Sequence, residues 1–216
     1  MRCTTTPDLN LGFSDASCGL PHDDCEQENP TIMKLSTPLP VSNKLLAALS
    51  RAEYQRVAGD LQLVSLEFGE VLYEQGDAIR FVYFPIDSLV SLLTVVDRHL
   101  ALEVGMVGRE GMVGVAFALG IGTSPFRAMV QGAGTALRMK AAPFRRELGA
   151  NPQLRRKLDL YIHTLMAQIA QTAACNRFHV VEARLARWLL MTRDRVRSNE
   201  FRLTQEFLGH MLGVRR

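Results

Sequence analysis

Leu203-Thr204-Gln205-Glu206-Phe207-Leu208-Gly209-His210-Met211-Leu212-Gly213-Val214-Arg215-Arg216 reads as one short helix running into a tight turn. Thr204 suits the N-cap, because its hydroxyl accepts from an orphan N–H at the helix start, and Glu206 suits the positive end of the helix dipole. Phe207, Leu208, Met211 and Leu212 fall on one face at helical spacing. Gly209 is small where a second helix must cross closely. Gly213 follows four residues later, where a tight interhelical turn calls for left-handed backbone that glycine adopts without strain. Val214 then re-enters the core. The pattern predicts the first helix and turn of a helix-turn-helix, with Thr204, Gln205, Arg215 and Arg216 as the residues expected to meet DNA.

The segments upstream are helical as well. Val181, Leu185, Trp188, Leu189, Thr192 and Val196 mark the buried face of a helix whose other positions are rich in arginine. Arg197-Ser198-Asn199 ends it, and Phe201 to Leu203 is a short extended stretch. Before it, Asn151 to Asn176 forms a long helix in which Leu158, Ile162, Leu165, Ile169, Thr172 and Asn176 recur at intervals of 4, 3, 4, 3 and 4. So narrow a stripe predicts a dimer seam between two copies, with Asn176 a polar register-setting position. The competing reading is a face packed on the chain's own sheet.

Residues 61–140 change period. Val64, Leu66 and Phe68 alternate with Ser65 and Glu67, Val71 and Tyr73 follow Gly69-Glu70, and Gly76-Asp77 breaks the chain. Val82 and Phe84 lead into a turn at Pro85 to Ser88. Val90 to Val96 is a denser apolar run, turned by Asp97-Arg98. Leu100, Leu102, Val104 and Met106 alternate next, and Thr135, Leu137 and Met139 form a last set. Short strands with closely spaced turns predict an antiparallel sandwich or roll. Residues 42–60 read as helical, with Leu45, Leu46, Leu49, Tyr54 and Val57 at helical spacing and Ser42 or Asn43 as cap. Residues 1–40 have no sustained apolar period and are expected to be disordered. Met33 stands just before the folded region and is a candidate start codon in place of Met1.

The chain has 216 residues, 47% apolar and 22% charged, which suits a soluble globular protein. The apolar run from Gly111 to Gly122 is too short and too glycine-rich to cross a bilayer. No basic-then-apolar secretory pattern opens the chain, so a cytoplasmic location is expected. The net charge of +3 hides an asymmetry. Residues 1–33 carry six acids against Arg2 alone, whereas residues 177–216 carry nine arginines against four acids. A basic C-terminal end predicts a polyanionic partner, the alternative being a solvated arginine face.

Strand roll, long helix, arginine-rich helix and helix-turn, in that order, resemble the Crp/Fnr family of bacterial regulators. The resemblance covers about residues 42–216 and rests on Gly69-Glu70-Val71-Leu72-Tyr73-Glu74-Gln75-Gly76-Asp77, on the helix from Asn151 and on Leu203–Arg216. It implies an α+β fold: a leader over 1–40, a cyclic-nucleotide-binding-like β-roll over 41–150, a dimerisation helix over 151–177 and a partial winged helix-turn-helix over 178–216. It also implies a homodimer with DNA, and RNA polymerase, as partners.

The sequence departs from the family at two points. Cyclic-nucleotide-binding members hold the cyclic phosphate with backbone N–H groups behind a Gly-Glu pair and with an Arg followed by Ser or Thr and Ala. Gly108–Gly114 and Ser124–Ala128 correspond here, which makes Glu110, Gly111, Met112, Arg127 and Ala128 the candidate effector residues. With Ala128 aligned, Phe126 stands where the phosphate-gripping Arg belongs. Arg127 is displaced by one, onto the opposite face of an alternating strand. Cyclic AMP is therefore not expected as the effector. Second, the recognition helix would begin at about Arg215. The sequence is accordingly expected to be a fragment of a longer regulator or a truncated effector-binding and dimerisation module that does not bind DNA specifically.

No metal or catalytic constellation is expected. Cys3, Cys18, Cys25 and Cys175 are spaced too loosely for a compact iron–sulfur motif. His22, His99, His163, His179 and His210 do not pair at metal-ligand spacing, and His163 is expected to be an interface residue rather than a haem ligand. Neither a nucleophile elbow, a phosphate loop nor paired catalytic carboxylates stand out, so an enzyme is not expected.

Overall fold

The computed structural model describes residues 42–97, 100–196 and 205–212. The leader, Thr204, the turn at Gly213, and Val214, Arg215 and Arg216 lie outside the described residues. So do the Arg197–Asn199 helix end and the Phe201–Leu203 stretch.

The helical stretch expected over 42–60 consists of two helices, α1 (Lys44–Ala47) and α2 (Arg51–Ala58). Ser50 restarts the helix, its hydroxyl accepting from Glu53 N while the Glu53 carboxylate accepts from Ser50 N, a reciprocal capping box. Asn43 caps α1 and does more. It is buried, its Oδ1 accepts from Leu45 N and Leu46 N, and its Nδ2 donates to Pro85 O at 3.0 Å and Gly111 O at 2.9 Å. One side chain thus ties the entering helix to two loops of the roll.

Seven strands make the roll: β1 (Gln62–Leu66), β2 (Val71–Tyr73), β3 (Phe81–Pro85), β4 (Leu89–Asp97), β5 (Leu100–Val107), β6 (Arg127–Gly132) and β7 (Gly134–Lys140). They form two antiparallel sheets, ordered β1-β7-β3 and β2-β6-β4-β5. Val64 and Leu66 of β1 face in while Ser65 faces out, as period-two alternation requires. The core between the sheets contains Phe84, stacked edge-on against Phe144 at 6.2 Å, with Val82, Val90, Val107 and Val130. Phe144 belongs to α3 (Ala141–Ala150).

The long helix α4 spans Pro152–Phe178. Asn151 caps it by accepting from Leu154 N at 3.0 Å, and Pro152 opens it, where a missing N–H costs nothing. Leu154, Leu158, Tyr161 and Leu165 of α4 enter the roll core. β5 is an edge strand, and Gln168 of α4 closes part of that edge: its Oε1 accepts from Met106 N at 2.7 Å and its Nε2 donates to Met106 O at 3.2 Å. Two shorter helices follow, α5 (Val181–Arg195) and α6 (Gln205–Leu212). A second apolar cluster, Leu89, Leu93, Met106, Trp188, Met211 and Leu212, joins them to the outer face of the four-stranded sheet. Both faces of β4 and β5 are covered as a result: Val90 and Val107 face the roll core, Leu89 and Met106 the helices. No helix among the described residues is long and apolar enough to cross a membrane.

Candidate functional site

Between β5 and β6 the chain runs through Gly108–Gly114, a 3-10 turn over Val115–Leu119, and the Ser124–Phe126 loop. Gly114 sits at φ 90° and Gly120 at φ 86°, so both ends of the 3-10 turn use left-handed backbone that an L side chain would strain. The void enclosed here is about 20 Å³, lined among others by Tyr73, Ile79, Leu92, Met112, Phe126 and Ala128. A drug-sized ligand needs a few hundred Å³. The space between these segments is thus filled by the chain's own apolar side chains.

Of the candidate effector residues, Met112 and Ala128 share this wall and are fully buried. The other three do not join them. Arg127 is on the opposite face of β6 from Ala128, where its Nε donates to Glu74 Oε2 at 2.7 Å near solvent. Gly111 lies directly beneath the Tyr161 ring of α4, with no room for a Cβ. Burial holds the Tyr161 hydroxyl proton firmly, and the nearby Glu110 charge adds to that. Glu110 turns away from the void. It accepts from Gly108 N at 3.2 Å and from Arg195 Nε at 2.8 Å, which ties the loop to the last turn of α5. Arg195 also donates through Nη1 to Met191 O at 2.9 Å, a favourable use of a cation at a helix C-terminus.

The six residues expected to form a seam between two copies are turned toward the chain's own roll and α5. Leu158 has 0% exposure, and Leu165 is buried beside it in the roll core. Ile162 and Ile169 pack against that core, Thr172 Oγ1 accepts from Arg187 Nη1 of α5, and Asn176 borders a small void against α5. All six pack within this chain, because the β-roll and α5 already cover the stripe. The opposite face of α4 is free. Leu160, Thr164, Ala167, Gln171, Ala174 and Phe178 are all exposed, Leu160 at 61% and Phe178 at 77%, and they too recur at intervals of 4, 3, 4, 3 and 4.

A polar cluster that sequence reasoning missed lies where the roll meets α5. Glu103 of β5 is buried, and its Oε2 is 2.6 Å from Ser91 Oγ of β4, which also lies 2.6 Å from Gln131 Oε1 of β6. Gln131 Nε2 donates to Thr192 Oγ1 of α5 at 3.4 Å. Burial pushes the Glu103 carboxyl up to about 8, against the opposing pull of the Ser91 hydroxyl, the Trp188 indole N–H and the Arg195 and Arg187 guanidiniums. The indole N–H faces the carboxyl without closing a hydrogen bond of standard geometry. Beside it is a void of about 30 Å³ bordered by Glu103, Cys175, Arg184, Trp188 and Met211, room for a water molecule.

Among the expected DNA contacts, Gln205 opens α6, and Thr204, Arg215 and Arg216 lie outside the described residues. Met211 and Leu212 are buried, so the apolar face of α6 is seated on the sheet and Trp188. Among the described residues no cluster of His, Cys, Asp or Glu is placed to hold a metal ion.

No protein-family model matches the chain, and no curated protein matches it in sequence. Solved structures do match. The c-di-GMP-responsive global regulator CLP of Xanthomonas campestris superposes with a TM-score of 0.62 at 15% identity, over 77% of this chain and 86% of that one. FixK2 of Bradyrhizobium japonicum gives 0.62 at 14% identity, over 71% and 78%. A protein from Eubacterium rectale assigned to the crp/fnr family of transcriptional regulators gives 0.64 at 12% identity, over 79% and 80%. The chain therefore has the fold of these regulators: a cyclic-nucleotide-binding-like roll carrying a long helix.

Proposed function

We propose that this protein is a homodimeric transcription regulator of the Crp/Fnr type whose roll does not take cyclic AMP. The observation that carries the reading is the order of parts. The roll holds one face of α4, and α5 and α6 sit on the outer side of the same roll. A change in the roll is thereby felt at once by the helix that pairs two copies and by the helices that lead to DNA. The fold of three solved regulator structures, which superpose on most of this chain, supports the reading.

Dimerisation uses the free face of α4. Leu160, Ala167 and Ala174 alternate with Thr164, Gln171 and Phe178 as the two seam positions of a coiled coil, and the alanines let two helices approach closely. A two-fold axis along this seam brings two C-terminal heads side by side, spaced for half-sites about one DNA turn apart. Thr204, Gln205, Arg215 and Arg216 then contact DNA, and the arginine excess over residues 177–216 neutralises phosphates. From an operator such a dimer is positioned to touch RNA polymerase. Cyclic AMP is disfavoured on two grounds: the void is too small, and Arg127 is paired with Glu74 on the far face of its strand.

Selection from a randomised duplex library tests the reading. A near-palindromic site is expected to emerge, with an affinity that falls steeply between about 50 and 200 mM salt. A dimeric protein that enriches no sequence would overturn the DNA-binding role. Micromolar binding of cyclic AMP in a calorimeter would overturn the reading of the pocket.

A further inference from the structure

The junction between the roll and α5 contains a buried carboxyl whose surroundings assign it a task. Glu103 has 5% exposure, and four of the elements packed around it contribute a polar or charged group: Ser91 from β4, Gln131 from β6, Cys175 from α4, and Arg184, Arg187, Trp188 and Arg195 from α5, while α6 brings the apolar Met211 and Leu212. Two of the three cations are engaged elsewhere, and Arg184 borders the void with its buried Nε without a hydrogen-bond partner. Arg195 Nε is spent on Glu110 at 2.8 Å, and Arg187 Nη1 donates to Thr172 at 3.2 Å. Ser91 has one hydroxyl proton and two acceptors at 2.6 Å, Glu103 Oε2 and Gln131 Oε1. In the amide orientation that lets Gln131 Nε2 donate to Thr192, the chain of bonds closes in one way. Ser91 donates to Gln131, and Glu103 donates its own proton to Ser91. Glu103–Ser91–Gln131–Thr192 is then a continuous chain from the sheet into α5.

We infer that Glu103 is a protonation-dependent latch that seats α5 and α6 on the roll. In the neutral form it completes the bond chain and leaves Arg195 to Glu110. When it loses its proton, Ser91 must turn to the carboxylate, Gln131 loses its donor, and the new charge draws the unpartnered Arg184 and competes with Glu110 for Arg195. The buried anion is best relieved by admitting water at the roll–α5 junction, which lifts the apolar side chains Trp188, Met211 and Leu212 from Leu89, Leu93 and Met106. The inference concerns the seating of the C-terminal helices and does not depend on what those helices bind.

The sign follows from the direction of the carboxyl's shift. The seated state holds the Glu103 proton up to about pH 8, whereas an exposed glutamate releases it near 4.5. Seating is therefore strongest at acidic pH, weakens as pH rises from 4.5 toward 8, and weakens no further above that.

Trp188 is the one tryptophan of the chain and borders Glu103, so its fluorescence reads the latch directly. The full chain titrated from pH 6 to 9.5 is expected to show a single emission transition near pH 8. Glu103→Gln, which carries no titratable proton, is expected to abolish the transition, and Cys175→Ser, beside the same void, to keep it. A flat wild-type titration, a transition that survives in E103Q, or its loss in C175S would overturn the inference. If E103Q does not fold, the wild type alone decides. Amide exchange over residues 205–212, corrected for intrinsic base catalysis, is expected to rise about a hundredfold between pH 6 and 9.5 while β7 stays protected. Equal protection of residues 205–212 at the two pH values would overturn the inference.

Discussion

Leu158→Ala and Leu160→Ala, made separately, part the two faces of α4, and the sizes of the two effects follow from where each side chain sits. Leu158 is at 0% exposure among Leu154, Tyr161 and Leu165 in the roll core. Truncating it leaves a cavity and costs about 2–5 kcal/mol, a large share of the roughly 5–15 kcal/mol that holds a domain together. With a urea slope of about 2 kcal/mol/M the midpoint falls by roughly 1–2.5 M. Leu160 is 61% exposed in the protomer, so its truncation changes the stability of a monomer by at most about 0.5 kcal/mol. In a dimer it has most of its surface still to bury. Full burial of a leucine is worth about 1.5–3 kcal/mol, so the remaining share is roughly 1–2 per copy and twice that across a two-fold axis. L160A should then weaken dimerisation by roughly 30- to 1000-fold. Sedimentation equilibrium gives the Kd, and urea melts followed by circular dichroism below that concentration give the protomer's own stability. Dissociation by L158A without loss of protomer stability, or destabilisation by L160A without change in Kd, would refute the assignment of the faces.

Three further substitutions test the contacts that hold the parts together. Asn43→Ala strips a cap from α1 and leaves the buried Pro85 and Gly111 carbonyls unpaired, and should cost about 2–4 kcal/mol in a urea melt. Gly111→Ala forces a Cβ into the Tyr161 ring and should cost about 1–3 kcal/mol, with faster amide exchange in the first half of α4. Glu110→Gln removes the charge that Arg195 answers and should cost about 1–2 kcal/mol, less at high salt, with earlier proteolytic cleavage near the end of α5.

The regular elements were legible in the sequence because their periods are local. Asn151 and Pro152 announce the start of α4, and the alternation of Val64 and Leu66 fixes β1. The displacement of Arg127 by one residue places its guanidinium on the far face of β6, though its partner Glu74 is not readable from spacing. The helical reading of 42–60 holds, and the break within it falls at Ser50, where a capping box with Glu53 starts a second helix. The seam is a different case. The stripe Leu158, Ile162, Leu165, Ile169 says that something apolar covers it and does not say what, and the roll reaches it first. A second stripe, with alanines, threonine and glutamine in it, carries too little hydrophobic contrast to be noticed. Glu103 was hidden by alternation itself. Between Leu102 and Val104 it reads as a solvent-facing position, yet α5 covers that face of the sheet and turns it into an interior.

The account depends on two copies meeting along the free stripe of α4, and a cross-link tests this most directly. With Cys3, Cys18 and Cys25 replaced by serine, Ala167→Cys sits at the middle of that stripe and Met166→Cys, also exposed, lies one residue off it. Mild oxidation should convert A167C into a disulfide-linked dimer of twice 24.1 kDa and leave M166C a single chain on a non-reducing gel. A167C remaining uncross-linked, or M166C linking as readily, would contradict it.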